Sequence, residues 1–144
     1  MVITISSLMR EEHRRINDML NEFDKKKKIN LQEAEALFKK FEWNLKKHFF
    51  LEEKAIFEIY GSITGQEVSD IFELMEEHGT LLDIMKGIEQ SIESGKEPNT
   101  SLIRETLEKH SDCEDNVFYP KLDKELSEGQ KSEIAERAKE ILRG

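Results

Sequence analysis

The sequence predicts an all-α protein: an up-down-up-down antiparallel four-helix bundle with a short additional C-terminal helix. Apolar residues recur at three- and four-residue spacing in four long segments. No segment alternates apolar and polar residues as a strand would, and the connections are short, as between antiparallel neighbours. The 144 residues include only 2 prolines and 7 glycines. We expect one domain over residues 1–144, with the bundle over about 7–121 and the C-terminal helix over about 127–143.

The first two helices are predicted from apolar stripes. The first runs from about Ser7 to Lys27, and the second begins near Leu31 after a break at Ile29–Asn30. The lysines of the DKKKK run are expected to cap the first helix, because the helix dipole favours cations at that end. The stripe residues are Met9, Ile16, Leu20 and Phe23, then Ala34, Phe38, Phe41, Leu45, Phe49 and Ile56.

The remaining helices are bounded by turn residues. The third is expected between GSITG (61–65) and SGKEPN (94–99), and the fourth should be stopped or kinked by Pro120. The last begins at Ser127, where SEGQ has the spacing of a capping box. The predicted core residues are Ile71, Met75, Leu82, Met85, Ile88 and Ile92, then Ile103, Leu107 and Val117, then Ile134, Ala138 and Ile141.

Composition argues against several classes of function. The net charge of −9 disfavours binding to nucleic acid or to an anionic membrane surface. No segment approaches the roughly 18 apolar residues of a membrane span, and no signal peptide is recognisable, so we expect a cytoplasmic protein. Cys113 is the single cysteine and cannot form an intrachain disulfide. We expect it to face a neighbouring helix as a small apolar filler.

One histidine falls on the apolar stripe of each main helix: His13, His48, His78 and His110. The midpoint of each successive pair falls at or beside a predicted connection. In an antiparallel bundle this spacing places the four imidazoles in one layer across the core.

Two glutamates follow histidines by four residues, in the pairs His48–Glu52 and His110–Glu114. Such pairs share a helix face about 6 Å apart, so both side chains reach one point. A lone buried histidine is usually hydrogen-bonded, and a lone pair of this kind is usually coincidence. Two buried carboxylates with four imidazoles would cost several kcal/mol without partners, and a metal site removes that cost. Glu53 is expected on the solvated surface.

The donor set favours two metal ions over one. Imidazole and carboxylate suit iron, manganese or zinc, while the absence of cysteine ligands argues against an iron–sulfur or cysteine–zinc site. Six side chains exceed the needs of one tetrahedral zinc. Two bridging carboxylates and an oxo or hydroxo bridge would leave about one open position per ion, where O₂, peroxide or NO could bind. We therefore expect two non-haem Fe ions, with Zn or Mn as substitutes. The Glu-x-x-His and HExxH patterns are absent.

The chain resembles the hemerythrin-like family, the HHE cation-binding domain, over about Leu8 to Lys121. The motifs that carry the resemblance are EEH ending at His13, HFFLE at 48–52, EEH ending at His78, and HSDCEDNVFYP at 110–120. The resemblance implies a four-helix bundle with a non-haem di-iron centre. By the same resemblance, His13 and His48 bind one iron, His78 and His110 bind the other, and Glu52 and Glu114 bridge them.

One position departs from the family pattern. The oxygen-carrying members of the family usually place another histidine four residues before the position of His78, and here that residue is Leu74. The difference argues against reversible O₂ carriage. It leaves one iron more open to external ligands, or lets water or another carboxylate take the place of the histidine.

The leading hypothesis is a cytoplasmic di-iron protein that binds O₂, NO or peroxide for sensing, storage or detoxification. We expect a binding protein rather than an enzyme, whose partner is a small diatomic or peroxide ligand; the sequence identifies no protein partner. The alternatives are a weak di-iron oxidase or peroxidase and a metal-free helical interaction module. Phe49 and Phe50 are expected to seal the site, and Tyr119 is a candidate to hydrogen-bond a group behind the ligands.

Overall fold

Caps and turns fix the helix ends where the sequence places them. The side chain of Asn30 accepts a hydrogen bond from the Glu33 N–H at 3.1 Å and starts the second helix. Ser127 and Gln130 form the predicted capping box at the start of the last helix. Gly95 adopts a φ of 74° just after the third helix ends, a conformation that glycine tolerates without strain.

The structure, a computed structural model, describes residues 4–64 and 69–144, and these residues contain helices and no strand. The all-α prediction is confirmed. The segments are α1 (Ile5–Lys27), α2 (Leu31–Leu51), π1 (Glu52–Phe57), α3 (Glu58–Thr64), α4 (Ser69–Glu93), α5 (Ser101–Cys113), π2 (Glu114–Phe118), α6 (Tyr119–Glu125) and α7 (Glu128–Arg143). Because α2, π1 and α3 are continuous, they form the second bundle helix. Likewise α5, π2 and α6 form the fourth.

Polar contacts between the bundle helices run in antiparallel register. Residues that come later on α1 pair with residues that come earlier on the fourth bundle helix. The pairs are Ile5 with Asp123, His13 with Asp115, and Asp24 with Arg104. The side chain of Asp123 also accepts the Ser6 N–H, so that one carboxylate satisfies two free amides at the start of α1.

The predicted break at 61–64 and the predicted stop at Pro120 are wrong. Gly61 to Thr64 belong to α3 rather than to a connection, while Gly65 lies outside the described residues. Pro120 does not stop the fourth helix, which stays helical to Glu125. Its position in the first turn of α6, directly after π2, is one where a missing N–H is tolerated.

Three predicted core residues are exposed instead. Met75, Leu82 and Val117 face solvent, whereas Leu74, Leu81 and Phe118 are buried. A π turn inserts an extra residue into the helical repeat, which moves the buried position from 117 to 118. On α4 apolar residues occur on both faces, and at 74–75 and 81–82 the pattern selects the exposed member of each adjacent pair. The other predicted core residues are buried, except Ile71 and Ile141, which are partly buried.

A polar layer separates two apolar clusters. One cluster, around Met9, Leu74 and Phe118, also receives Ile134 and Ala138 of α7. The other lies around Phe23 and Phe38 at the opposite end of the bundle and includes Leu81. Cys113 is exposed, so its assignment as an apolar filler is wrong. No helix in the described ranges has the length and apolar character needed to cross a membrane.

Candidate metal centre

Both glutamates of the His-x-x-x-Glu pairs stand at the first residue of a π-helical turn. Glu52 begins π1 and Glu114 begins π2. In π2 the Tyr119 N–H donates to the carbonyl of Glu114, five residues earlier, which widens the turn. Single π turns recur at functional sites because they redirect side chains without ending the helix. Nothing in the residue pattern predicted these turns.

Glu52 lies among three of the four histidines. Its Oε1 is 3.0 Å from Nε2 of His78, 3.3 Å from Nε2 of His48 and 3.9 Å from Nε2 of His110. The Glu52 side chain is fully buried. It therefore stands between imidazoles contributed by the second, third and fourth bundle helices.

Glu114 completes the layer from the opposite direction. Its Oε1 is 3.2 Å from Nε2 of His13 and 3.2 Å from Nε2 of His110. The Nε2 atoms of His13 and His48 are themselves 3.1 Å apart. The structure thus brings all six residues singled out in the sequence into one cluster, with every imidazole presenting Nε2 to its interior.

The six residues fall into two overlapping sets that could each hold a metal ion. In each set one ligand atom per residue lies within 4.8 Å of the others. The sets are His13, His48, Glu52 and Glu114, and Glu52, His78, His110 and Glu114. Each set has two histidines of its own, and the two sets share both carboxylates.

Unsatisfied polar atoms in this layer fit a bound cation. Both carboxylate oxygens of Glu114 and Nε2 of His110 are buried and, among the described residues, make no hydrogen bond of adequate geometry, although Glu114 Oε1 and His110 Nε2 lie 3.2 Å apart. Buried polar atoms of native proteins nearly always have partners, and an unpaired carboxylate is the most costly of them. Nitrogen and carboxylate donors aimed at common points would be satisfied by metal coordination.

Carboxylates outside the layer orient two of the imidazoles. Nδ1 of His13 lies 3.0 Å from Oδ1 of Asp115, and Nδ1 of His110 lies 2.5 Å from Oε1 of Glu77. A carboxylate that accepts the Nδ1–H leaves the Nε2 lone pair facing the centre, an arrangement typical of metal-binding histidines. The Tyr119 hydroxyl, fully buried, donates to Oε2 of Glu52.

Aromatic rings enclose one side of the centre. Phe49 stacks on His78 with ring centroids 4.0 Å apart, and Phe57 lies on His78 at 5.8 Å. Phe49 seals the site as predicted, but Phe50 is half exposed and does not. Glu53 is not simply a surface residue, because its Oε1 lies 3.8 Å from Nδ1 of His78.

Burial opposes a positive charge on the imidazoles, and local carboxylates decide the outcome. Burial lowers the pKa of His48 to about 3. For His13 and His110 burial acts in the same direction, but hydrogen bonds to neighbouring carboxylates outweigh it and raise the pKa to about 10 and about 11. A cation that binds these nitrogens must displace protons, so its binding weakens as the pH falls.

The two carboxyl groups shift in opposite directions. Burial, reinforced by the charge of Glu52, raises the pKa of Glu114 to about 7. Burial would also raise the pKa of Glu52, but attraction to His48 and several hydrogen bonds hold it well below its ordinary value. Burial raises the pKa of the Tyr119 phenol, which therefore stays protonated as a donor. Opposed shifts in adjacent acids are typical of functional sites.

Comparison with known proteins agrees with this geometry. A family model for the hemerythrin HHE cation binding domain matches residues 4–122, most of the chain. The chain belongs to this family. The HHE family is named for cation binding, and the cluster of histidines and glutamates in this member is able to hold a metal ion. No curated protein and no solved structure matches the chain.

Sequence reasoning missed three residues of the HHE centre or left their role open. Asp115 and Glu77 are two of 31 acidic residues, and only their place in the fold distinguishes them. The sequence suggests Tyr119 as a hydrogen-bond donor but does not identify its acceptor, which is Glu52. Leu74 is buried in the apolar cluster next to the layer and contributes no polar atom.

Proposed function

We propose that this HHE protein binds two non-haem irons and, through them, a small ligand of the O₂, NO or peroxide class, for sensing, storage or detoxification. The observation that carries the proposal is the pair of overlapping four-residue sets that share Glu52 and Glu114. A single ion would leave one set of imidazoles unused. We also propose a cytoplasmic location and no nucleic-acid or membrane partner, in keeping with the net charge of −9.

Within this proposal each pair of histidines serves one ion. His13 and His48 would hold the first, His78 and His110 the second, and the shared carboxylates would bridge them. Iron would supply a redox-active centre with a coordination position for a small ligand. The polypeptide would orient the imidazoles and bury most of the donor atoms.

Neighbouring groups would hold the donors in place. Asp115 and Glu77 accept the Nδ1–H groups of His13 and His110, and so fix the tautomer that presents Nε2. Tyr119 donates to Glu52 and restrains its carboxylate plane. The apolar clusters on both sides of the layer exclude water, which strengthens every charge interaction within it.

Metal content on anaerobically purified protein tests the proposal. We expect about two irons per chain after ferrous loading, matching the two sets, and visible absorption of a diferric centre after exposure to air. Loading with zinc or manganese under the same conditions shows whether either metal competes with iron for the site. Failure to take up any metal would contradict the proposal and favour a helical interaction module.

The air step also separates two roles of a loaded centre. Recovery of the starting spectrum on removal of O₂ would indicate reversible binding. Irreversible oxidation, with turnover of peroxide and a reducing substrate, would indicate an oxidase or peroxidase instead. Nitric oxide added to the reduced protein tests the remaining ligand in the class.

A further inference from the structure

The centre has an open side. A cleft of about 460 Å³ between α1 and α5 is lined by three of the candidate ligands, His13, His48 and His110. The side chain of His13 is 10% exposed, whereas that of His78 is 3% exposed between its two stacked rings. Small molecules can therefore approach His13 directly from the cleft, whereas stacked aromatic rings cover His78.

The cleft is polar. Only Ile16, Leu45 and Leu107 among its 14 lining residues are apolar. An apolar diatomic gas gains little from such a lining, since the polar groups keep their own water. A small ligand that accepts hydrogen bonds or carries a charge exchanges one set of polar contacts for another.

Three arginines line the cleft, and they are not equivalent. Arg14 pairs with Glu11, and Arg104 pairs with Asp24. Arg10 donates to the backbone carbonyl of Asp115 at 3.2 Å, and no carboxylate of the described residues lies within ion-pair distance of it.

Arg10 therefore keeps an uncompensated charge next to the residue that orients His13. Three acids also line the cleft: Asp115, which contacts His13, and the exposed Glu108 and Asp112. They oppose the attraction of an anion, as does the net charge of −9. Arg10 thus offsets part of this negative charge, and its removal should make the cleft less favourable to anions.

We propose that this cleft is the route to the centre and that Arg10, by offsetting its acidic residues, lets small anions enter faster than they would without it. That the cleft leads to a metal depends on the proposed iron centre. The charge preference belongs to the polypeptide and is measurable without metal. Charge-lined clefts change association rates by about 10- to 1000-fold, with strong dependence on ionic strength. For one arginine we expect about fivefold at low salt.

A thiol placed in the cleft measures its charge preference in the metal-free protein. Ser111 lines the cleft and is half-buried, and Cys113→Ser removes the native exposed thiol. Ser111→Cys in that background reacts with an anionic or a cationic methanethiosulfonate reagent, and the ratio of the two rates is recorded. Arg10→Gln should lower the anionic-to-cationic ratio about fivefold at low salt. Arg137→Gln, an exposed arginine on α7, is the matched control and should not change it.

Ligand binding to the iron-loaded protein tests the same selectivity at the centre. Azide is the anionic probe for the oxidised protein, and NO is the neutral probe for the reduced protein. Arg10→Gln should slow azide association about fivefold and leave NO association unchanged, while Arg10→Lys should restore most of the azide rate.

The outcomes separate the two proposals. A rate ratio that Arg10→Gln leaves unchanged, or equal slowing of azide and NO, would overturn the role of Arg10. Protein that takes up no iron but shows the expected change in thiol ratio would contradict the iron centre and still support the effect of Arg10 on the cleft.

Discussion

The two halves of the centre, His13 with His48 and His78 with His110, share their carboxylates but differ in what covers them. His13 and His48 line a polar cleft that His110 of the other half also reaches, and Asp115 holds His13 from the solvent side. On the other half His78 lies between Phe49 and Phe57, beside the apolar cluster that contains Leu74.

The difference teaches that equal ligand spacing does not give equal sites. In both histidine–glutamate pairs the glutamate follows the histidine by four positions, and both glutamates begin a π turn. What differs is access to water and the stiffness of the surroundings, which control ligand exchange and retention of the metal. We expect the half with His13 and His48, the open half, to exchange external ligands. The half with His78 and His110, the closed half, should hold its ion more firmly.

The largest effect should follow from removing a donor that both halves share. Glu52→Ala should abolish binding of both ions and remove the several kcal/mol by which the metal stabilises the folded chain. Metal analysis and thermal unfolding with and without iron measure both effects. His13→Ala, which removes a donor from the open half only, should retain metal in the closed half.

Glu58→Ala is the matched control for this change, because Glu58 is an exposed glutamate on the same bundle helix that pairs with Lys54. It should keep the metal content of the unaltered protein. Full retention of both ions in Glu52→Ala would show that Glu52 is not shared between them.

The aromatic side offers a second comparison within two adjacent residues. Phe49→Ala should lower the free energy of unfolding of the metal-free protein by about 3–5 kcal/mol, because it leaves a cavity against His78. Phe50→Ala, at a half-exposed position, should change it by less than about 1 kcal/mol. Denaturant unfolding of the two variants gives both values. Equal losses would mean that Phe49 does not support the closed half.

Helices and donor residues were predictable because both depend on spacing. Burial of one face repeats every 3.6 residues, so the stripes of α1 and α2 were assigned correctly from the apolar residues alone. The same spacing brought His48 with Glu52 and His110 with Glu114 onto common faces, and the fold places them in one layer.

Features that depend on the backbone or on side-chain direction were not predictable. The π turns are shifts in hydrogen bonding with no residue signature of their own. A regular helix would bury Val117, but π2 shifts the buried position to Phe118. Met75 and Leu82 were assigned to the core because α4 carries apolar residues on two faces. Glu77 could not be chosen among the acidic residues until the fold set it against His110.

The closed half can be made more like the pattern of the oxygen-carrying members by one change, Leu74→His. Residue 74 precedes His78 by one helical turn, so an imidazole there could reach the same ion. In the metal-free protein the change should cost about 1–3 kcal/mol of unfolding free energy, because it places a polar group in an apolar cluster. With iron bound, coordination should offset that cost and slow loss of metal to a chelator by about tenfold, or about 1.4 kcal/mol.

Leu20→His is the control, since Leu20 is equally buried and lies seven residues from His13, about 10 Å along α1. It should destabilise the metal-free protein to a similar extent without slowing the loss of metal. If both variants lose metal at the rate of the unaltered protein, the position next to His78 is closed to a further ligand. The apolar packing around Leu74 would then be what fixes the coordination of that half, whichever donor is offered to it.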